Sequence, residues 1–275
     1  MATQRKGGKS AGGSGGSTLS VVVPAYNETD NIRPLCERLF KALKASSIDG
    51  ELLIMDDESV GTAPTKAVVA ELKTEGYNIR IHARTKKEGK GLSSAVLLGF
   101  DMAANDTMLC MDADLQHEPE SVPDVAAPIL NGTADFTVGS RNVDGGGLGF
   151  EWSLLRRIIS QGATLLCLPL TTSTDPMSGF FCVSKETLAK GRANCNPIGF
   201  KIGLEIMARC RCTNVVDVPI TFQDRVAGES KLSMKQNVLY LQQLAALYWD
   251  KFGFLLVLVV VILLWLALQV LSMLF

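Results

Sequence analysis

Asp112 and Asp114 stand one residue apart in "MLCMDADLQHEPE" (residues 108–120), directly behind a short apolar run. Residues 108–111 read as a buried strand, which places both carboxylates where a strand leaves its sheet. Two anions this close need a cation or a donor-rich ligand beside them. Hard oxygen donors of this kind, with the amide of Gln116, suit Mg²⁺ or Mn²⁺, which would bridge a diphosphate. Other polar groups recur at the same place relative to apolar runs: Pro24-Ala25-Tyr26-Asn27-Glu28, Asp56-Asp57-Glu58-Ser59 and Gly139-Ser140-Arg141. Acids from three strand ends gathered on one edge would repel one another, and a nucleotide with a divalent metal meets that need.

The elements that must position these groups alternate along the chain. Apolar β-prone runs occupy residues 19–23, 52–55, 79–82, 107–111, 136–138, 179–183 and 215–222, with helical patterns between many of them. The clearest helix carries Ile32, Leu35, Cys36, Leu39, Phe40 and Leu43 at spacings of three and four, with Thr29, Asp30 or Asn31 as candidate cap. This alternation predicts an α/β fold with a mainly parallel sheet covered on both faces. Ligands of such sheets bind beyond the carboxyl ends of the strands.

Composition narrows the class. A chain of 275 residues with 47% hydrophobic content can build a full core, and a net charge of −1 argues against a bulk nucleic-acid binder. The seven cysteines are odd in number and scattered, as buried reduced thiols would be, and Cys210-x-Cys212 has no second pair at zinc-like spacing. Residues 1–17, rich in Gly, Ser and Lys, predict a solvated tail rather than a signal peptide. Residues 252–275 carry no charge. As a helix they would run about 36 Å, enough to cross a hydrocarbon core of about 30 Å. They are expected to form a C-terminal anchor, preceded by Tyr248, Trp249 and Phe252 as an aromatic belt beside Lys251, with the soluble part on the cytosolic side.

Two segments before the anchor are amphipathic. One carries Trp152, Leu155, Ile158, Ile159, Leu165 and Leu166 with Arg156 and Arg157; the other, residues 234–249, carries Leu239, Leu241, Leu244, Ala245 and Leu247 beside Lys235. Each suits a helix lying in a membrane interface or an ordinary core-facing helix, which periodicity does not distinguish. Gly145, Gly146 and Gly147 predict a flexible joint ahead of the first, making it a movable lid. The expected organisation is a tail over 1–17, a catalytic domain over 18–231, an amphipathic helix over 232–251 and a transmembrane anchor over 252–275.

"VVVPAYNE", "DDES", "MDADLQHEP" and "GSR", in this order, resemble the family 2 glycosyltransferases with the GT-A, Rossmann-like nucleotide-diphospho-sugar fold. Residues 141–160, "TDPMSGFF" (174–181) and "VPITFQDRVAGESKL" (218–232) are similar to the dolichol-phosphate mannosyltransferase branch, in its single-chain form with a C-terminal anchor. The resemblance implies inverting transfer of mannose from GDP-mannose to dolichyl phosphate, giving dolichyl β-D-mannosyl phosphate and GDP for N-glycan, GPI-anchor and O- and C-mannosylation. It implies Mg²⁺ or Mn²⁺ dependence, and an endoplasmic reticulum membrane location with the catalytic domain facing the cytosol. It also implies that accessory subunits are not required.

Position by position, it assigns Pro24, Tyr26, Glu28, Met55, Asp57, Asp112, Ala113, Asp114, Arg225 and Lys231 to the donor site. Asp112, Asp114 and Gln116 become the metal ligands, and Arg141, Arg156 and Ser160 meet the acceptor phosphate. Asp114, Arg141, Arg225 and Lys231 carry the catalytic role. His117 stays open between a proton-transfer group and a polar loop residue. "DDESVGT" lacks the second acid that relatives carry after their second strand, and the Q-x-x-R-W signature of processive synthases is absent, which favours a single transfer. The residues alone leave open a UDP-glucose:dolichyl-phosphate glucosyltransferase, or an inactive membrane-anchored subunit.

Overall fold

The computed structural model describes residues 17–149, 154–223 and 234–274; the side chains of 154–159, 234–235, 256, 260 and 264–274 are not among those described. In chain order the elements are β1 (Thr18–Ala25), α1 (Thr29–Ala45), β2 (Asp49–Asp56), α2 (Thr62–Thr74), β3 (Ile79–Ala83), α3 (Leu92–Met102), β4 (Thr107–Cys110), α4 (Val122–Leu130), β5 (Phe136–Ser140) and β6 (Gly147–Leu148). Then follow α5 (Leu154–Leu165), β7 (Phe181–Ser184), α6 (Lys185–Ala189), α7 (Ile202–Arg209), β8 (Val215–Pro219), β9 (Thr221–Phe222) and α8 (Met234–Leu274). A seven-stranded sheet has the order β3-β2-β1-β4-β7-β5-β8. Its pairs are parallel except those of β7, which is antiparallel to both β4 and β5.

Successive residues of a strand face opposite sides, so β1 feeds two cores. Leu19, Val21 and Val23 pack with Ile32, Leu35 and Leu39 of α1 and Val125 of α4. Val22 faces the other way, among Leu53, Met55, Val96, Phe100 and Ile206. Helix α3 approaches that face closely because Gly99 has no side chain: a Cβ there would lie 2.4 Å from Val22 Cγ1.

The expected strand runs appear as β1 to β5, β7 and β8, with residues 215–222 divided at Ile220 into β8 and β9. Two local expectations change. Helix α1 begins one residue earlier than its candidate caps: Glu28 is the N-cap and accepts from Asn31 Nδ2 at 2.9 Å, while Thr29 is turned toward Gly61 and Thr65. The glycines at 145–147 are not a flexible joint. Gly147 N donates to Ile220 O at 3.0 Å, Gly149 N donates to Phe222 O at 2.9 Å, and a Cβ on Gly146 would lie 2.6 Å from Ser140 O. Gly146 serves close packing there, and Gly145 a left-handed backbone at φ 85°.

The first half of α8 is core-facing on one side only. Leu244 and Leu247 are buried with Cys167, Leu170 and Leu204, and Gln243 Nε2 donates to Lys201 O and to Glu205 Oε2. Tyr248 Oη donates to Leu166 O, and Lys251 Nζ to Pro169 O. Val238, Leu241 and Trp249 remain exposed, as do Leu165, Leu166 and Leu168 beside them in the fold. Helix α8 continues through residues 251–252 without interruption. Among the described residues no single helix is long and apolar enough to cross a membrane. Gln236–Leu255 and Val257–Leu263, bent by 45° between them, reach that length and composition together. All seven cysteines are free thiols, five of them buried.

Candidate active site

The parallel register brings the strand ends level. Pro24 and Ala25 lie beside Met55 and Asp56, and β4 and β5 end on the same edge of the sheet. A cavity of about 550 Å³ opens there. Its walls include Pro24, Tyr26, Glu28, Met55, Asp57, Asp112, Ala113, Asp114, Gln116, Arg141 and Ser160, so the expected donor, metal and acceptor positions converge wherever they are described. Arg225 and Lys231 lie outside the described residues, as does the side chain of Arg156.

At the acidic end, the turn after β4 is tightly specified. Leu115 takes the left-handed conformation, φ 61°, uncommon for a branched side chain, and its buried side chain anchors it. That turn lets Gln116 N donate to Asp114 Oδ1 at 3.2 Å. Gln116 Nε2 donates to Gln223 O at 3.1 Å, so the atom its amide can offer a cation is the oxygen. Gly179 lies against Asp112, where a Cβ would stand 3.2 Å from Oδ2 and 3.3 Å from Oδ1. Among the described residues no three His, Cys, Asp or Glu side chains are grouped to hold a metal. Two carboxylates with an amide oxygen nonetheless suit Mg²⁺, which keeps few protein ligands and takes oxygens from substrate phosphates.

His117 is a buried neutral aromatic. Its ring lies 5.1 Å from both Phe180 and Phe222, and burial pushes its pKa down to about 4, outweighing the opposing influence of Asp114. Asp112 N donates to His117 Nδ1 at 3.3 Å. A nitrogen that accepts carries no proton, so the 3.6 Å approach of Asp112 Oδ2 to the same atom is not an ion pair. His117 thus holds the Asp112 backbone through Nδ1.

At the end formed by β1 and β2, Asp57 and Asp56 have separate roles. Asp57 lines the cavity and accepts from Arg84 Nη1 at 2.9 Å and from Gly91 N at 2.7 Å. Arg84 is fully buried and also donates to Gly91 O, Glu88 O and Ser94 Oγ, clamping the loop before α3 against Asp57. Asp56 faces away from the cavity and accepts from Ser59 N, Ser59 Oγ and Thr62 Oγ1, closing the turn into α2. Asn27 is likewise structural: its Oδ1 accepts from Gly61 N at 3.0 Å.

At the other end, Arg141 is held by Asp175, a residue the motifs did not single out. Ser173 Oγ accepts from Asp175 N, and Ser173 Oγ in turn donates to Asp217 Oδ1 at 2.7 Å. Asp217 also accepts from Thr174 N and Thr174 Oγ1, both at 2.6 Å. The Arg141 guanidinium lies 5.2 Å from the Phe222 ring centroid. Ser160 and Ala163 of α5 and Tyr240 of α8 complete this wall, with Tyr240 Oη donating to Ala163 O at 2.7 Å. Lys201, also unanticipated, enters the cavity from the start of α7. "TDPMSGFF" contained the one available signal for Asp175, an acid beside a proline in a stretch already marked by resemblance. Arg84 and Lys201 carried none.

A mixed α/β sheet with acids and a D-x-D turn on its carboxyl edge defines a nucleotide-sugar transferase of the GT-A type. The chain belongs to glycosyl transferase family 2, whose model matches residues 20–190. It is 44% identical to dolichol-phosphate mannosyltransferase of Mycosarcoma maydis, over 98% of this chain and 94% of that protein. To dolichol-phosphate mannosyltransferase of Saccharomyces cerevisiae it is 44% identical, over 85% of this chain and 88% of the other. Among solved structures, glucosyl-3-phosphoglycerate synthase from Mycobacterium tuberculosis, in complex with Mn²⁺, UDP-glucose and glycerol 3-phosphate, matches at a TM-score of 0.55. That likeness covers 86% of this chain and 80% of that one at 18% identity, and it shows the fold.

Proposed function

We propose that this chain transfers mannose from GDP-mannose to dolichyl phosphate, releasing GDP and forming dolichyl β-D-mannosyl phosphate. The observation that carries the reading is 44% identity, along nearly the whole of both chains, to an enzyme of that name. The cavity supports it, with carboxylates at one end and Arg141 and Ser160 at the other. In this reading Pro24, Tyr26, Glu28, Met55, Asp57 and Ala113 hold the nucleotide, with Glu28 and Asp57 accepting from ribose hydroxyls or guanine N–H groups. Arg225 and Lys231 meet the diphosphate, and Arg141, Arg156 and Ser160 the lipid phosphate.

The nucleophile is a phosphate oxygen, mostly ionised at neutral pH because its second pKa is about 6. No side chain has to remove a proton from it, in keeping with a buried His117 whose Nδ1 is already an acceptor. One displacement, with acceptor and leaving GDP on opposite faces of the anomeric carbon, inverts that carbon. Asp112, Asp114 and the Gln116 oxygen would hold Mg²⁺ or Mn²⁺, which when bound supplies positive charge against the leaving diphosphate. Arg141, oriented by Asp175, draws the acceptor phosphate to the sugar and offsets the repulsion between two anionic substrates.

Residues 252–275 anchor the protein in the endoplasmic reticulum membrane with residues 18–231 as the catalytic domain on the cytosolic face, residues 232–251 at the interface, and no accessory subunit. The exposed Leu165, Leu166, Leu168 and Trp249 support this seating. The test is a donor and acceptor assay on purified protein in lipid. Labelled mannose should pass from GDP-mannose to dolichyl phosphate and stop on chelation; turnover of UDP-glucose alone would overturn the reading.

A further inference from the structure

Arg141 and Lys201 are the two cations among the described residues that line the cavity, and their situations differ. Arg141 is matched by Asp175, whose two oxygens take up the Nε/Nη2 edge of its guanidinium. Lys201 Nζ has one hydrogen bond, 2.9 Å to the neutral carbonyl of Met177, and among the described residues no carboxylate lies within ion-pair distance of it. An ammonium has three donors, so two remain for a ligand. Its backbone is fixed from two sides: Gln243 Nε2 of α8 donates to Lys201 O, and Ser93 Oγ of α3 donates to Gly199 O. A partly buried cation without an anion is costly, and a cavity that supplies one recovers that cost when an anion arrives.

Two anions visit this cavity, and the surroundings of Lys201 distinguish them. Lys201 is bonded to α8, the helix whose Tyr240 meets α5 on the Arg141 side of the cavity. Burial lowers its pKa, and the charged groups acting on it are Arg141, Asp112, Asp175 and Cys167, with Glu28 and Asp57 not among them. Met177, which it holds, begins the cavity-lining stretch Met177-Ser178-Gly179, which meets Asp112 at Gly179. Resting on the transferase reading above, we propose that Lys201 binds the acceptor phosphate alongside Arg141, supplying the unmatched positive charge that Arg141 has given up to Asp175.

The test uses the full chain in phospholipid vesicles with GDP-mannose and dolichyl phosphate. Lys201→Gln removes the charge and keeps an N–H donor, one bond shorter, on the Met177 side; Lys201→Ala removes charge and donor together. The KM for dolichyl phosphate should rise about ten- to a hundredfold in both variants, the range for losing a bond to a charged group. The KM for GDP-mannose should stay within about twofold, and GDP should still bind in the presence of Mn²⁺. An unchanged acceptor KM in active Lys201→Gln overturns the inference alone, and a rise confined to the donor KM overturns it in favour of the diphosphate. A wild-type chain that makes no product from this substrate pair fails the transferase reading, and the inference falls with it.

Discussion

Arg141 donates through Nε and Nη2 to the two carboxylate oxygens of Asp175, each at 2.7 Å, and its backbone N–H reaches the same carboxylate at 3.2 Å. The pair is almost wholly out of water, with side-chain exposures of 14% for Arg141 and 1% for Asp175. Removing one partner strands the other, so Asp175→Ala should cost about 3 kcal/mol of stability. Asp175→Asn, which preserves shape but not charge, should fold and lose acceptor affinity. Thermal melts with acceptor KM values separate the two effects.

Asp114→Ala should abolish transfer while leaving the chain folded and membrane-bound. Asp114 faces the cavity, and the bond lost within the turn is one from Gln116 N. A loss of about 1 kcal/mol in stability is expected. Undiminished activity in a folded variant would remove the metal assignment.

Replacing His117 with Phe retains ring packing against Phe180 and Phe222 but leaves Asp112 N without its acceptor. The expected cost is about 1–2 kcal/mol, with weaker Mn²⁺-dependent GDP binding as the Asp112 backbone relaxes. Normal Mn²⁺ titration curves would show that the ring merely fills space.

Gly179→Ala places a methyl group 3.2 Å from the Asp112 carboxylate, closer than ordinary contact. Its Cβ should turn that carboxylate aside, raising the Mn²⁺ concentration needed for half-maximal activity several-fold. Melting temperature should scarcely move. A full metal response would show that the loop yields instead.

Acid should loosen the far end of the sheet through Glu51. Burial alone would raise its pKa, but bonds from Ser20 Oγ, Ala104 N and Arg80 Nε outweigh that and hold it below the usual carboxylate value. A folded-state pKa below the unfolded one gives stability that is complete above the unfolded value, about 4.3. It is lost as pH falls from there toward the folded pKa. Glu51→Gln should be less stable than wild type at pH 7, and the gap should shrink by pH 3 in denaturant melts.

Much of this arrangement was written locally. The valines of β1, the helical spacing of α1 and the polar groups behind the strands each depend on neighbours within a turn or a strand, and they fell where expected. What escaped were pairings across long stretches of chain. Arg84 meets Asp57, Asp175 meets Arg141 and Lys201 meets Met177 only after the sheet has formed. The faces of α8 were equally hidden, because an apolar stripe does not state whether its neighbour is Leu204 or lipid.

The reversal of β7 changes which part of the polypeptide reaches the working rim. Strands that advance together present only their trailing loops there, but β7 presents its leading one, residues 174–179. That stretch is tethered covalently to α5 upstream and pressed on Asp112 at Gly179. Helix α5 and Asp112 thus share one short strap, stapled midway to Arg141 and Asp217. A displacement of α5 has a mechanical route along this strap to Asp112.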